Sequence, residues 1–182
     1  MSESVPIFAL EGISFAYPGG RALFENLNFA LHEREHIGLY APNGSGKTTL
    51  LRLIVGLERP SAGRLLFRGA PVLGDKDRHA LRCKIGMVLQ YAEDQLFCPT
   101  VLEDVAFGPL NLGLDKKEAL AAAKGALRLL GLEGFEARLT HKLSGGEKKL
   151  VSLATVLSMR PEALMLDEPI AGLDQKSEAR LV

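Results

Sequence analysis

The chain of 182 residues has no tryptophan, and only 6% of it is aromatic, a composition that fits an α/β enzyme. Its two cysteines, Cys83 and Cys98, are too few for a disulfide framework and lack the spacing of a metal site, so they read as reduced thiols. Charge of one sign is not in excess: 22 basic residues face 22 acidic ones. That balance speaks against a polyanion held by a general basic field, so no nucleic-acid partner is expected. No apolar run is long enough to span a bilayer. Residues Met1 to Pro6 carry neither a basic region nor an apolar core, so no signal peptide is expected there. What the chain does have is 47% hydrophobic residues, enough to fill a core in one large domain or two small ones.

The most informative stretch is Ala41-Pro42-Asn43-Gly44-Ser45-Gly46-Lys47-Thr48. It lies between an apolar run, Ile37 to Tyr40, read as a buried strand, and an apolar helix from Thr49 to Val55. A phosphate chain needs many donors in a small volume. Glycines let backbone N–H groups approach it, and the helix that follows aims the positive end of its dipole at it. Lys47 is placed to reach the outer phosphates, and the Thr48 hydroxyl to ligate Mg²⁺. The pattern normally opens with glycine. If position 41 needs a positive φ, Ala41 costs roughly 1 kcal/mol or more.

Around this loop, Ile13, Phe15 and Tyr17 alternate with small residues as a half-buried strand, and Ala22 to Leu31 is the expected return strand after Pro18-Gly19-Gly20. Arg59 to Gly63 reads as a loop, and Arg64–Arg68 and Ile85–Leu89 as strands. From about Asp94 to His141 the pattern turns helical: Leu120, Ala123, Leu127 and Leu130 recur at helical spacing, and Gly131 is a C-cap. Glu147 to Met159 is a mostly buried helix, and Ala163 to Leu166 a strand ending in Asp167-Glu168. Gln175 to Val182 opens another helix. There is no internal repeat.

Four further features carry chemistry. Leu143-Ser144-Gly145-Gly146-Glu147 is a second glycine turn at a helix start, where Ser144 can cap and the remaining N–H groups make an anion site. Asp167 and Glu168 follow a buried apolar strand, where α/β enzymes place ligands. Asp167 suits Mg²⁺, and Glu168 suits a group that orients or deprotonates an attacking water. Gln90 follows the run Ile85–Leu89, and its side-chain carbonyl can complete a Mg²⁺ shell. Tyr17 ends the first strand, where a ring can stack on a base. Each has a bland reading alone: a helix start, a surface acidic pair, a solvated loop residue, an edge-strand aromatic. What selects the functional reading is their joint occurrence in this order.

In that order these residues resemble the ATP-binding subunit of an ABC transporter, over essentially the whole chain. Walker A is similar to Ala41–Thr48, with Thr49 beside it, the Q-loop to Gln90, the signature to Leu143–Glu147 and Walker B to Leu164–Glu168. Ala171-Gly172-Leu173-Asp174 resembles the D-loop, and Tyr17 the adenine-stacking aromatic. The segment Asp94–Val101 followed by Glu103–Gly113 resembles the energy-coupling-factor group, importers of cobalt, nickel or vitamins. The resemblance implies an α/β P-loop NTPase fold of ABC type: a small antiparallel β portion, a RecA-like parallel sheet core and an inserted helical subdomain at about 94–143, within one ATP-binding domain over 1–182. It implies ATP and Mg²⁺ as ligands. Glu168, Gln90 and Lys47 become catalytic; Thr48, Gln90 and Asp167 hold the metal. Tyr17, Ala41, Pro42, Asn43, Gly44, Ser45, Gly46, Lys47, Thr48 and Thr49 bind nucleotide, together with Ser144, Gly145, Gly146 and Glu147 from the signature.

The resemblance further implies a head-to-tail dimer with a second ATP-binding subunit, identical or related, in which one Walker A loop and the other chain's signature enclose one ATP. It implies a transmembrane coupling subunit as partner and a place on the cytoplasmic face of the membrane. Leu96 and Phe97 are then docking anchors, unless they are core of the helical subdomain. Three departures stand out. Leu150 replaces a common arginine and Ile170 a common threonine. The sequence also stops at Val182 before the strand that carries the family's switch histidine, so the fold is expected to be C-terminally incomplete and turnover slow. Two other readings are a soluble ABC ATPase acting on nucleic acid and a non-catalytic nucleotide-binding module. His32-Glu33-Arg34-Glu35-His36 matches the zinc-protease pattern but sits between strands, where it reads as a charged turn. Asp75 to His79 reads as a solvated loop.

Overall fold

The computed structural model describes residues 5–91 and 95–169. Asp94, Ile170, the Ala171–Asp174 motif and the expected helix from Gln175 lie outside them. The chain forms two compact units, residues 1–85 and 86–182.

In the first unit, β1 (Phe8–Ala16), β2 (Ala22–Leu31), β3 (Ala62–Phe67) and β4 (Ala70–Pro71) form an antiparallel sheet in the order β2-β1-β3-β4. β1 is central, and its apolar residues Phe8, Leu10, Ile13 and Phe15 are buried. The register slips between Leu10 and Ile13 on the β2 side. There Gly12 has a φ of 61°, a bulge that keeps both Leu10 and Ile13 facing the core. Helix α1 (Lys47–Ile54) buries Leu50, Leu51, Leu53 and Ile54, and α2 (Asp75–Arg82) buries Leu81.

Two expectations fail here. Ile37–Tyr40 is not a buried strand: it has no strand assignment, Ile37 and Leu39 are 44% and 41% exposed, and Tyr40 is fully exposed. Apolar sequence makes a strand only when neighbours supply a hydrogen-bond ladder, and among the described residues none pairs with it. Asp75 to His79 is helix rather than loop. Asp77 sits at the third helical position, and its Oδ2 accepts from the N–H groups of Gly74 (3.0 Å) and Leu73 (3.1 Å), so a local cap overrides a polar composition. The His32–His36 stretch is a turn, as read from sequence: Glu35 Oε2 accepts from the His32 N–H at 2.7 Å, and Glu33 pairs with Arg68.

The second unit pairs β5 (Ile85–Val88) with β6 (Ala163–Leu166), β5 straddling the division between units. Between them in sequence come α3 (Val101–Asn111), α4 (Lys116–Leu129), a 3₁₀ turn (Thr140–Lys142) and α5 (Gly145–Leu157). One apolar core joins Val101, Val105, Ala123, Leu127, Leu130, Leu132, Leu150, Val151 and Ala154. Leu150, at the position of the common arginine, is part of that core. Helix α4 ends in a Schellman motif: Gly131 has φ 64°, its N–H bonds Arg128 O, and the Leu132 N–H bonds Leu127 O. That is the C-cap read from sequence. Pro109 interrupts the hydrogen bonds of α3, because it cannot donate to Val105 O. The buried Ser158 hydroxyl takes its place at 2.8 Å. Gly86 of β5 leaves room for α5: a Cβ there would collide with Val156.

Candidate functional site

In the first unit the phosphate loop is built around two left-handed glycines, Gly44 (φ 76°) and Gly46 (φ 98°). Ala41 is not among the positive-φ residues, so the strain considered for alanine does not arise. Gly46 is the N-cap of α1, and no side chain caps that helix. The start of a helix is where backbone N–H groups and the helix dipole favour an anion. A Cβ on Gly46 would come within 3.0 Å of the Phe24 ring, so close packing and φ both require glycine here. Phe24 was not singled out by the sequence reading. The Lys47 ammonium lies over its own loop, donating to Ala41 O at 2.7 Å and Pro42 O at 3.1 Å. It is thereby held at the loop's centre. Tyr17, 38% exposed, packs edge-on against Phe15 with centroids 4.9 Å apart. Its hydroxyl meets Thr49 Oγ1 at 3.2 Å. The structure thus brings together Tyr17, Thr49 and the start of α1.

In the second unit, Asp167 directly follows β6, and its N–H continues the pairing to Val88 O at 3.1 Å. Its side chain is 5% exposed. Glu168 then takes φ 48°, a left-handed value uncommon for a non-glycine residue. Its carboxylate Oε2 accepts from Gln90 Nε2 at 2.8 Å. Its carbonyl accepts from Lys149 Nζ at 2.6 Å. Gln90, Lys149, Asp167 and Glu168 therefore form one cluster at the ends of two strands. Gln95 secures the approach to Gln90: its Oε1 accepts from the Leu89 N–H (2.7 Å) and Ser152 Oγ (3.1 Å), while its Nε2 donates to Met87 O (3.1 Å). The sequence reading missed Gln95. It missed Lys149 too, although a lysine inside a helix read as mostly buried was a signal.

The glycine turn opens α5 with a full capping box. Ser144 Oγ accepts from the Glu147 N–H at 3.3 Å, and Glu147 Oε2 accepts from the Ser144 N–H at 2.8 Å. That backbone bond, reinforced by Arg138 at 2.8 Å from Oε1, holds the Glu147 carboxyl below the usual range. Arg138 also lies over the Phe135 ring, 4.1 Å from its centroid. A Cβ on Gly145 would meet nothing within 4 Å, so the backbone there is open to a ligand's approach.

After Gln95, Leu96 is half-buried and packs against the apolar core. Phe97 is 65% exposed and meets the 43% exposed Phe107 edge-on at 4.7 Å. Buried Asp104 holds this segment, its Oδ2 accepting from the N–H groups of Phe97 (3.0 Å) and Cys98 (3.1 Å).

The family model described as ABC transporter matches residues 24–171. A putative ABC transporter ATP-binding protein of Nitratidesulfovibrio vulgaris is 52% identical over 97% of this chain and 65% of its own length. The energy-coupling factor transporter ATP-binding protein EcfA of Methanocaldococcus jannaschii is 45% identical over 97% and 63%. The cobalt import ATP-binding protein CbiO of Rhodobacter capsulatus is 46% identical over 97% and 64%. The chain thus spans just under two thirds of these relatives. Among solved structures, CbiO1 of Clostridium perfringens, described as part of an ABC transporter complex, superposes with TM-score 0.86 at 36% identity, over 97% of this chain and 70% of that one. A dimeric ATP-binding cassette in a post-hydrolysis state with ADP and Pᵢ superposes with TM-score 0.86 at 27% identity, over 96% and 79%.

Proposed function

We propose, since this chain belongs to the ABC transporter family, that it is the subunit that binds and hydrolyses ATP to power an importer of the energy-coupling-factor type. Its fold is that of an ABC-type P-loop NTPase. The observation that carries the reading is the Gln90–Glu168 hydrogen bond of 2.8 Å, a sensor amide held on a carboxylate at the ends of two strands. In this proposal Glu168 is the general base that takes a proton from the attacking water, and Gln90 orients its carboxylate. Lys47 and the Pro42–Thr49 backbone and hydroxyls bind the phosphates, and Tyr17 receives the adenine. The Ser144-Gly145-Gly146 turn serves the nucleotide of a second ATP-binding subunit, identical or related.

The donor set proposed for Mg²⁺, a hydroxyl (Thr48), an amide oxygen (Gln90) and a carboxylate (Asp167), is all hard oxygen, which fits that ion. Mg²⁺ would neutralise charge on the phosphate oxygens. Relatives named for energy coupling and for cobalt import support cobalt or nickel ions as the cargo. Among the described residues no helix is long and apolar enough to cross a membrane, and the exposed Phe97–Phe107 pair supports docking to a transmembrane coupling subunit at the cytoplasmic face. Residues 1–182 are proposed as one ATP-binding domain, with the helical subdomain at about 94–143.

The test is ATP binding and Pᵢ release by the full-length protein and two variants. Glu168→Gln is expected to keep ATP affinity and lose turnover by roughly 10²- to 10⁴-fold. Lys47→Ala is expected to lose both. Turnover unchanged in Glu168→Gln would remove the proposed role of that carboxylate.

A further inference from the structure

Lys149 is 6% exposed, in the middle of a helix whose neighbours Leu150, Val151 and Leu153 are core. Burying an ammonium is costly unless donors are matched, and burial does press its pKa down while Glu168 and Asp167 press it up. An apolar residue would fill this position at lower cost. Lysine's distinguishing contribution is the short charge-assisted bond of 2.6 Å to the Glu168 carbonyl. That carbonyl belongs to Glu168, whose backbone is left-handed, φ 48°, a conformation that is strained for a non-glycine residue. The same residue presents its carboxylate to Gln90. The ammonium on one side and the amide on the other hold Glu168 at both its backbone and its side chain.

We propose that Lys149 is a positioning residue for hydrolysis, its bond to the Glu168 carbonyl fixing the left-handed turn from which the carboxylate meets Gln90. Lys149 touches neither nucleotide nor water in this scheme; it acts through Glu168. The proposal rests on Glu168 being the base, as proposed above.

The test compares Lys149→Met, which keeps length and apolar stem, with Lys149→Arg, which restores a cationic donor. Both are made in the full-length protein and measured beside wild type and Glu168→Gln. Lys149→Met is expected to lower kcat by roughly 10- to 100-fold, with KM for ATP within about twofold, and Lys149→Arg to recover most of it. A merely structural role predicts instead a fall in thermal midpoint, with kcat and KM changing together and no rescue by arginine; that result overturns the proposal, as does an unchanged kcat. A readout independent of turnover is the three-bond HN–Hα coupling of Glu168 by NMR. It is expected to leave its left-handed value in Lys149→Met and return in Lys149→Arg; an unchanged coupling overturns the proposal. If wild type itself does not hydrolyse ATP, the coupling decides whether Lys149 fixes the turn.

Discussion

Gly46 and Asp104 show how single residues are chosen by what surrounds them. At Gly46 two independent constraints coincide, a φ of 98° and a Phe24 ring 3.0 Å from where a Cβ would sit. Gly46→Ala is expected to weaken nucleotide binding and to destabilise the first unit by about 1–3 kcal/mol, read by calorimetric titration and denaturant unfolding. Asp104 is 2% exposed, and its Oδ1 is the one buried side-chain polar atom without a hydrogen-bond partner among the described residues. Burial pushes its carboxyl above the ordinary value of 3.8, against the pull of the Cys98 and Phe97 N–H groups. A raised folded pKa means the native state binds more protons than the unfolded one in the window above 3.8. This group's contribution is therefore complete below that pH and is lost as pH rises through the folded pKa. Asp104→Asn keeps an acceptor for both N–H groups and removes the charge. Its melting temperature relative to wild type is expected to rise as pH is raised from 3.8 through that window, and a pH-independent difference would count against the assignment.

Elements are held by the bonds that sequence punctuation removes or adds. In α3, Pro109 leaves Val105 O without its helical donor, and Ser158 supplies one from the end of α5. Ser158→Ala should cost about 1–3 kcal/mol, because a buried carbonyl is left unpaired. Adding Pro109→Ala, which restores the N–H, should recover much of that loss, and urea unfolding of the two single variants and the double variant measures the coupling. This exchange was not legible in the sequence, since nothing at Ser158 announces a partner 53 residues away. Local devices were legible: the return strand Ala22–Leu31, the strand Ala163–Leu166 and the Gly131 cap were read with their observed positions, because alternation and left-handed glycine act over a few residues. Ile37–Tyr40 was misread because strand formation depends on neighbours, which a short apolar run does not specify. The phosphate loop, signature turn and Asp-Glu pair were legible as motifs. The roles of Gln95, Arg138 and Phe24 were not, because their work is to hold other residues, and even inside the Asp94–Val101 segment nothing at Gln95 announces the groups it bonds.

For the whole molecule, the proposed function requires a second subunit to complete each nucleotide site. Glu168→Gln incubated with ATP and Mg²⁺ is expected to elute as a dimer in size-exclusion chromatography, and wild type after turnover as a monomer. Ser144→Arg, which fills the open turn at the start of α5, should abolish the dimer without lowering the affinity of the monomer for ATP. A monomer throughout would count against the shared site. Helix α5 gives such a dimer a particular mechanics. Gly86 lets its Val156 end seat directly on β5, and Lys149 ties its middle to the turn after β6. A stiff rod clamped at two points cannot swivel about one of them. In the proposed dimer, a push on its Ser144 tip would be felt as torque at Glu168, and contact with a partner's nucleotide and readiness of the base would be one movement rather than two.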